Sequence, residues 1–135
     1  MFDQLSAVNI GHNVLKQWVK PGAVCLDATA GRGNDSLFLC GLVGKKGRVL
    51  AFDIQEEAVA STAGLLKNNG CAGNAAVICD SHVNMAEYVE PGSAACIVFN
   101  FGWLPGSDHK IATQAETSVT AIERALALLM PGGVM

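Results

Sequence analysis

Residues 27–35, Asp-Ala-Thr-Ala-Gly-Arg-Gly-Asn-Asp, constrain this chain more than any other stretch. They follow the apolar run Ala23-Val24-Cys25-Leu26 and precede the helix-like run Ser36-Leu37-Phe38-Leu39-Cys40. A strand therefore ends at an acid, turns through glycines and enters a helix. Gly31 and Gly33 lack a Cβ, so the backbone can turn tightly and a ligand can approach it closely. The free N–H groups at the start of the following helix favour an anionic or polar ligand group. A second strand, Arg48-Val49-Leu50-Ala51-Phe52, ends at Asp53. An acid at the tip of the second strand is where nucleotide-binding α/β folds hydrogen-bond a ribose diol. Strand, Asp, GxG, helix, strand and Asp in this order predict a nucleoside-cofactor site.

The loop chemistry selects among such cofactors. Dinucleotide sites carry a third glycine that lets the helix pack closely on the sheet. Here that position is Ser36, and the loop holds two acids, Asp27 and Asp35. A pyrophosphate would be repelled by them, whereas the ammonium of a methionine moiety would be attracted. S-adenosylmethionine is the expected cofactor. The plainer alternative makes Asp27 a strand-end residue and Asp35 part of a helix start.

The rest of the chain alternates strands and helices with short glycine-rich joints. An amphipathic helix is expected over about 3–19, then strand 23–27, helix 34–42 and strand 48–53. Helix 55–69 follows, with acids in its first turn. Strand 75–79 leads to Asp80-Ser81-His82, a short helix lies near 83–89, and strand 94–99 runs into Asn100. Val119, Ile122, Ala125, Leu126 and Leu129 predict a longer helix near 113–130, ended by Pro131-Gly132-Gly133. Such alternation predicts an α/β fold, a Rossmann-like, doubly wound, mostly parallel sheet. Ligands gather beyond the carboxyl ends of the strands in such sheets. Here those ends are Asp27, Asp53, Asp80 and Asn100, one polar residue for each of four strands.

Composition bounds the remaining possibilities. With 135 residues, half of them hydrophobic, the chain has the length of one domain with a substantial core. The net charge of −3 comes from scattered residues and neither announces a nucleic-acid partner nor excludes one. No apolar stretch is long enough to span a membrane, and no signal-peptide pattern is present. The five cysteines are odd in number and form no C-x-x-C pair. Cys25, Cys79 and Cys96 fall in apolar runs, where they should behave as small buried hydrophobes, so a reduced cytoplasmic setting is expected. The histidines share no ligand-like spacing with the cysteines, and no metal is expected.

Val134-Met135 reads as the opening of a fifth strand. Without that strand the edge of Cys96-Ile97-Val98-Phe99 would be exposed, which favours self-association, homodimers included. The expectation is a single methyltransferase domain over 1–135, C-terminally incomplete and apparently lacking its last strands.

Asp27 to Asp35, Phe52-Asp53-Ile54-Gln55 and Asp80-Ser81-His82 together resemble a class I S-adenosylmethionine-dependent methyltransferase. Asn100-Phe-Gly-Trp-Leu-Pro-Gly-Ser-Asp108 and 113–117 narrow the resemblance to the YtqB family, small methyltransferases long labelled rRNA methylases. That family is associated with MnmM-type methylation of the aminomethyl group on the tRNA wobble uridine. The resemblance runs from the N-terminal helix with His12 to Pro131-Gly132-Gly133. The chain departs from the family in Arg32 and Asn34, and in lacking its C-terminal third.

The resemblance implies roles for particular residues. The backbone at Ala30, Gly31 and Gly33, with Asn34 and Asp35 beside it, would hold the methionine end of the cofactor. Asp53 would accept both ribose hydroxyls, Ile54 would lie against the adenine, and Gln55 would follow. Asp53 could equally serve as a helix cap. Asp80 would accept from the adenine amino group, with Ser81 and His82 nearby. Asn100 would accept from the substrate nitrogen and aim its lone pair at the methyl. Trp103 could stack on a flipped nucleobase or form a lid over the cofactor. His12 is a further substrate candidate, Asp108 a catalytic one, and His109 and Lys110 share its loop. The partner implied is RNA, specifically tRNA, with rRNA or a small molecule as alternatives. An NAD(P)-dependent oxidoreductase and a non-catalytic cofactor- or RNA-binding domain are the readings from other classes.

Overall fold

The computed structural model describes residues 7–101 and 114–135. Its elements run α1 (Ala7–Trp18), β1 (Val24–Asp27), α2 (Asn34–Val43), β2 (Arg48–Asp53), α3 (Glu56–Asn68) and β3 (Ala75–Cys79). A 3-10 helix (His82–Glu87), β4 (Ala94–Val98), α4 (Gln114–Leu126) and β5 (Leu129–Val134) complete it. The five strands form one sheet in the order β3-β2-β1-β4-β5, and every neighbouring pair is parallel. The chain order reverses between β1 and β4, so the crevice for a ligand opens there, beyond their carboxyl ends.

Side chains alternate across the strands and build a core on each face. Cys25, Val49 and Cys96 point to one side and pack with Val19, Leu39, Cys40, Val43 and Leu66 from the helices. Leu26, Leu50, Phe52 and Ile97 point to the other, against Met85, Val89, Ala125 and Leu128. Burial on both faces is what makes β1 and β2 read as continuous apolar runs in the sequence.

The C-terminal segment departs from expectation. The helix predicted over 113–130 ends at Leu126, and Pro131-Gly132-Gly133 lies inside β5. Leu128 and Leu129 keep helical spacing, but the sheet wins because Gly92 and Ala94 donate their N–H groups to the carbonyls of Ala127 and Leu128. Ala94 pairs with Leu129 and Cys96 with Val134, so the Pro-Gly-Gly forms an irregularity that stretches one strand past the other. A Cβ at Gly133 would stand 3.0 Å from the Ala94 carbonyl, which is why glycine sits there. The β4 edge expected to be bare is therefore covered by β5, and the motive it offered for self-association disappears. The buried stripe of α4 is Ala121 and Ala125, while Val119 and Leu126 are exposed. Cys79, expected to be buried, is also exposed, because it ends the edge strand β3. No helix of the described residues is long and apolar enough to cross a membrane.

Candidate functional site

The loop from β1 into α2 is held from below by a buried acid. Asp27 is fully buried; its Oδ1 accepts from the Thr29 N–H at 3.1 Å and its Oδ2 from the Ser36 hydroxyl at 2.6 Å. Loss of solvent pushes its carboxyl up to about 6, helped by the charges of Asp35 and Asp53 and opposed by the Ser36 and Thr29 hydrogen bonds. Ser36, which displaces the third glycine of a dinucleotide loop, thus clamps the acid that shapes this one. Past β1 the backbone bonds alternately to its two neighbours: Ala28 donates to the Val98 carbonyl and Ala30 to that of Phe52.

The two loop glycines do different work. Gly33 has φ 92°, and a Cβ on it would lie 3.0 Å from the Thr62 Cα of α3. Its absence lets α2 and α3 approach each other. Gly31 has φ 56° and only the Thr29 carbonyl within reach of a Cβ, at 3.9 Å, so its face is open. The buried Thr62 hydroxyl donates to the Gly31 carbonyl at 3.1 Å, and the Gly31 N–H donates to Asp53 Oδ2 at 3.0 Å. Asp53 Oδ1 accepts from the Gln55 N–H at 2.9 Å. The acid at the end of β2 therefore ties the glycine loop to the start of α3. Beside it Ile54 stands 63% exposed, an apolar face next to a carboxylate with spare lone pairs. That pairing could take an adenosine moiety, with the diol on the acid and the ring on the isoleucine.

Asp80 is engaged within its own loop. Its Oδ1 accepts from the Ser81 N–H and the Asn84 amide, and its Oδ2 from the Tyr88 hydroxyl at 2.7 Å. The Asn84 and Tyr88 hydrogen bonds, with that of Ser81, hold its carboxyl below the ordinary range, and Asp80 raises the Tyr88 phenol in return. Tyr88 also meets Phe52 edge-on, ring centroids 5.5 Å apart. Ser81 caps the 3-10 helix, its hydroxyl accepting from the Val83 N–H at 3.3 Å.

On the far rim, His12 Nε2 and Asp35 Oδ1 are 2.7 Å apart, and the imidazole lies flat on Phe38 at 3.8 Å. Asn34 is exposed at the first turn of α2. The Asn100 N–H donates to the Thr29 hydroxyl at 2.7 Å, so the chain leaving β4 is tied to the loop leaving β1. His82 reaches the same gap, with Nδ1 at 3.2 Å from the Ala28 carbonyl.

The structure thus gathers Asp27, Ala30, Gly31, Gly33 and Asp53 in one loop system, with Asn100 and His82 at its β4 side. Asp80 and Ser81 form a separate network beyond β3, and His12 with Asp35 a third on the helix rim. Trp103, Asp108, His109 and Lys110 lie outside the described residues. Sequence reasoning missed Thr29, Thr62 and Tyr88, whose hydrogen bonds build the site. Among the described residues no group of three His, Cys, Asp or Glu is placed to hold a metal.

Comparison with known proteins bears on the family and the fold. Residues 49–135 match the family model described as "Putative rRNA methylase". The chain is 34% identical, over 146 residues, to a chloroplastic tRNA (mnm(5)s(2)U34)-methyltransferase of Arabidopsis thaliana. That match covers all of this chain and 53% of the relative, so the chain spans about half the length of the curated protein. A "putative rRNA-methylase" structure from Clostridium thermocellum superposes with a TM-score of 0.89 at 39% identity, covering 96% of this chain and 69% of that one. A Streptococcus mutans "putative methyltransferase", solved in complex with SAH, gives a TM-score of 0.80 at 33% identity, covering 92% and 66%.

Proposed function

This chain belongs to the rRNA methylase family, class I methyltransferases by fold, and on that premise we propose that it transfers a methyl group from S-adenosylmethionine to an amine of RNA. The observation that carries the reading is the Asp53 clasp: a carboxylate at the end of β2 joined to an open Gly31, with Ile54 exposed beside it. Asp53 and Ile54 would hold the adenosine, and the backbone from Ala30 to Gly33 the methionine end. When bound, the sulfonium supplies an activated methyl; the protein's task is to position a nucleophile in line with it. Asn100, anchored through its backbone to Thr29, would aim that nucleophile.

The finer assignment is the 5-aminomethyl group of the tRNA wobble uridine. It is supported by the likeness to the Arabidopsis enzyme of that name, at 34% identity. Anticodon loops present unstacked bases, which reach a pocket at lower cost than paired ones. The five free cysteines suit a reducing compartment such as the cytoplasm. The test is mass spectrometry of nucleosides from tRNA carrying aminomethyluridine, after incubation with protein and donor. A wobble nucleoside heavier by one methylene is expected. If none appears while the protein binds the donor, this substrate assignment fails.

A further inference from the structure

His82 Nε2 is buried and has no hydrogen-bond partner among the described residues. Buried polar atoms nearly always have one, and exceptions call for a role. The other ring nitrogen fixes the chemistry of this one. The Ala28 carbonyl can only accept, so Nδ1, 3.2 Å away, carries the hydrogen. In the neutral ring Nε2 then presents a lone pair, and its natural partner is a donor from outside the protein.

The surroundings say which donor. Ala28 is the first residue beyond β1, and its own N–H is bonded to Val98 at the end of β4. His82 therefore sits over the gap between β1 and β4, where the sheet order reverses and ligands enter. Phe99 and Phe101 stand edge-on to its ring at 6.0 and 6.2 Å. These two residues flank Asn100, which the Thr29 hydroxyl holds at the same mouth. Charged groups on the elements around His82 include Asp27, Asp53, Asp80, Glu87, Glu123 and Arg124, the last donating to the Val83 carbonyl. Asp27 and Asp80 both accept from internal donors, whereas Nε2 has none among the described residues.

We infer that His82 Nε2 takes the proton from the substrate amine as the methyl is transferred, an inference that rests on the methyl-transfer reading above. An aliphatic amine is an ammonium at neutral pH and has no lone pair to attack with. The ammonium proton passes to Nε2, and the freed pair forms the N–C bond. The C–S bond of the donor breaks with its electrons left on sulfur. The product is a methylated ammonium and a neutral thioether, and the imidazolium returns its proton to solvent. The Ala28 carbonyl favours this exchange, since it holds the ring in the tautomer that accepts at Nε2.

The test uses the full chain with donor and aminomethyluridine tRNA. His82→Asn keeps a donor where Nδ1 lies and removes Nε2. Its single-turnover rate at pH 7 should fall at least about 100-fold, the usual contribution of a general base, with donor affinity by calorimetry unchanged within about twofold. The deficit should shrink as pH rises towards the amine's own pKa, because the nucleophile then arrives deprotonated. A deficit under about threefold, or one equally large at pH 7 and 9, overturns the inference. If wild type methylates no such tRNA, or the variant does not fold, nitrogen-15 NMR of the wild-type imidazoles decides. With S-adenosylhomocysteine bound, the Nε2 resonance should move on adding 5-aminomethyluridine and stay put with uridine. An unmoved resonance, while others saturate, overturns it independently of the tRNA assignment.

Discussion

Asp53 accepts the Gly31 amide hydrogen bond at 3.0 Å, joining the carboxyl end of β2 to the glycine loop that leaves β1. The same carboxylate holds the Gln55 N–H at 2.9 Å, so one side chain fixes the two loops between which an adenosine would lie. Each oxygen keeps a lone pair for a ribose hydroxyl. Asp53→Ala should therefore remove two charge-assisted hydrogen bonds to ligand, each contributing roughly 1.5–3 kcal/mol. Donor affinity should drop by about 100-fold or more, at about 1.4 kcal/mol per tenfold. Calorimetric titration checks it, and an affinity within twofold of wild type rejects the site.

The two glycines should separate by experiment. Gly33→Ala places a methyl 3.0 Å from the Thr62 Cα at a φ of 92°, and neither backbone can yield cheaply. Overpacking of this kind costs about 1–3 kcal/mol, with about 1–2 more for the left-handed backbone. Gly31→Ala meets nothing closer than 3.9 Å and bears mainly the second cost. Thermal unfolding should show Gly33→Ala as clearly the less stable variant. Equal melting shifts would contradict the packing role assigned to Gly33.

Asp27 gives a pH signature of definite sign. Its folded pKa, about 6, lies above the ordinary aspartate value of 3.8, so the folded state binds more protons between those values. Its contribution is fully present below pH 3.8 and is lost as pH rises to about 6. At about 1.4 kcal/mol per unit the loss is on the order of 3 kcal/mol. Asp80, held below the ordinary range, acts in the opposite sense, its stability being lost as pH falls. Asp27→Asn removes the first effect and leaves the second. Urea unfolding at pH 4.5 and 7 should show the stability gained by Asn over Asp growing with pH. A difference independent of pH would show that Asp27 ionises without hindrance.

Asp80 can be tested through its partner. Tyr88 occupies Oδ2, the oxygen an adenine amino group would need. If Asp80 reads adenine, Tyr88→Phe should leave donor affinity equal or improved, while Asp80→Asn weakens it. Loss of affinity in both variants would instead mean that the Asp80–Tyr88 pair shapes the loop.

What the sequence disclosed follows the range of the interactions. Asp27, Asp53, Asp80 and Asn100 were legible because each ends an apolar run, and parallel strands expose their carboxyl tips together. Thr62 was not: its bond to the Gly31 carbonyl spans 31 residues, and nothing local distinguishes a buried threonine in α3 from any other. Thr29 holds Asn100 across 71 residues and was equally silent. Ser36 was noticed as a missing glycine, not as the hydroxyl that clamps Asp27. The α4–β5 boundary was misplaced because apolar spacing persists through Leu129, whereas the chain is drawn off by backbone bonds to Gly92 and Ala94. Local pattern locates the strands; the bonds that join their loops depend on partners distant in sequence.

The Thr29–Asn100 link offers the last test, because it separates a side chain's chemistry from its anchorage. The bond uses the Asn100 backbone N–H and the Thr29 hydroxyl, 2.7 Å apart. Asn100→Ala leaves it intact and deletes only an exposed amide. Melting temperature and donor affinity should stay near wild type while the methyl-transfer rate falls, as for a group whose interaction is made in the transition state. Thr29→Val does the reverse: the amide survives, but its N–H loses a partner, at a net cost of about 0.5–1.5 kcal/mol. Here the rate should fall because the Asn100 amide is no longer held over the gap between β1 and β4. A misplacement of about 1 Å can cost about 100-fold. Combining the two substitutions should lower the rate little more than Asn100→Ala alone, since an anchor has nothing to hold once the amide is gone. Fully additive losses in single-turnover rates would show that Thr29 acts on the reaction by some route other than Asn100.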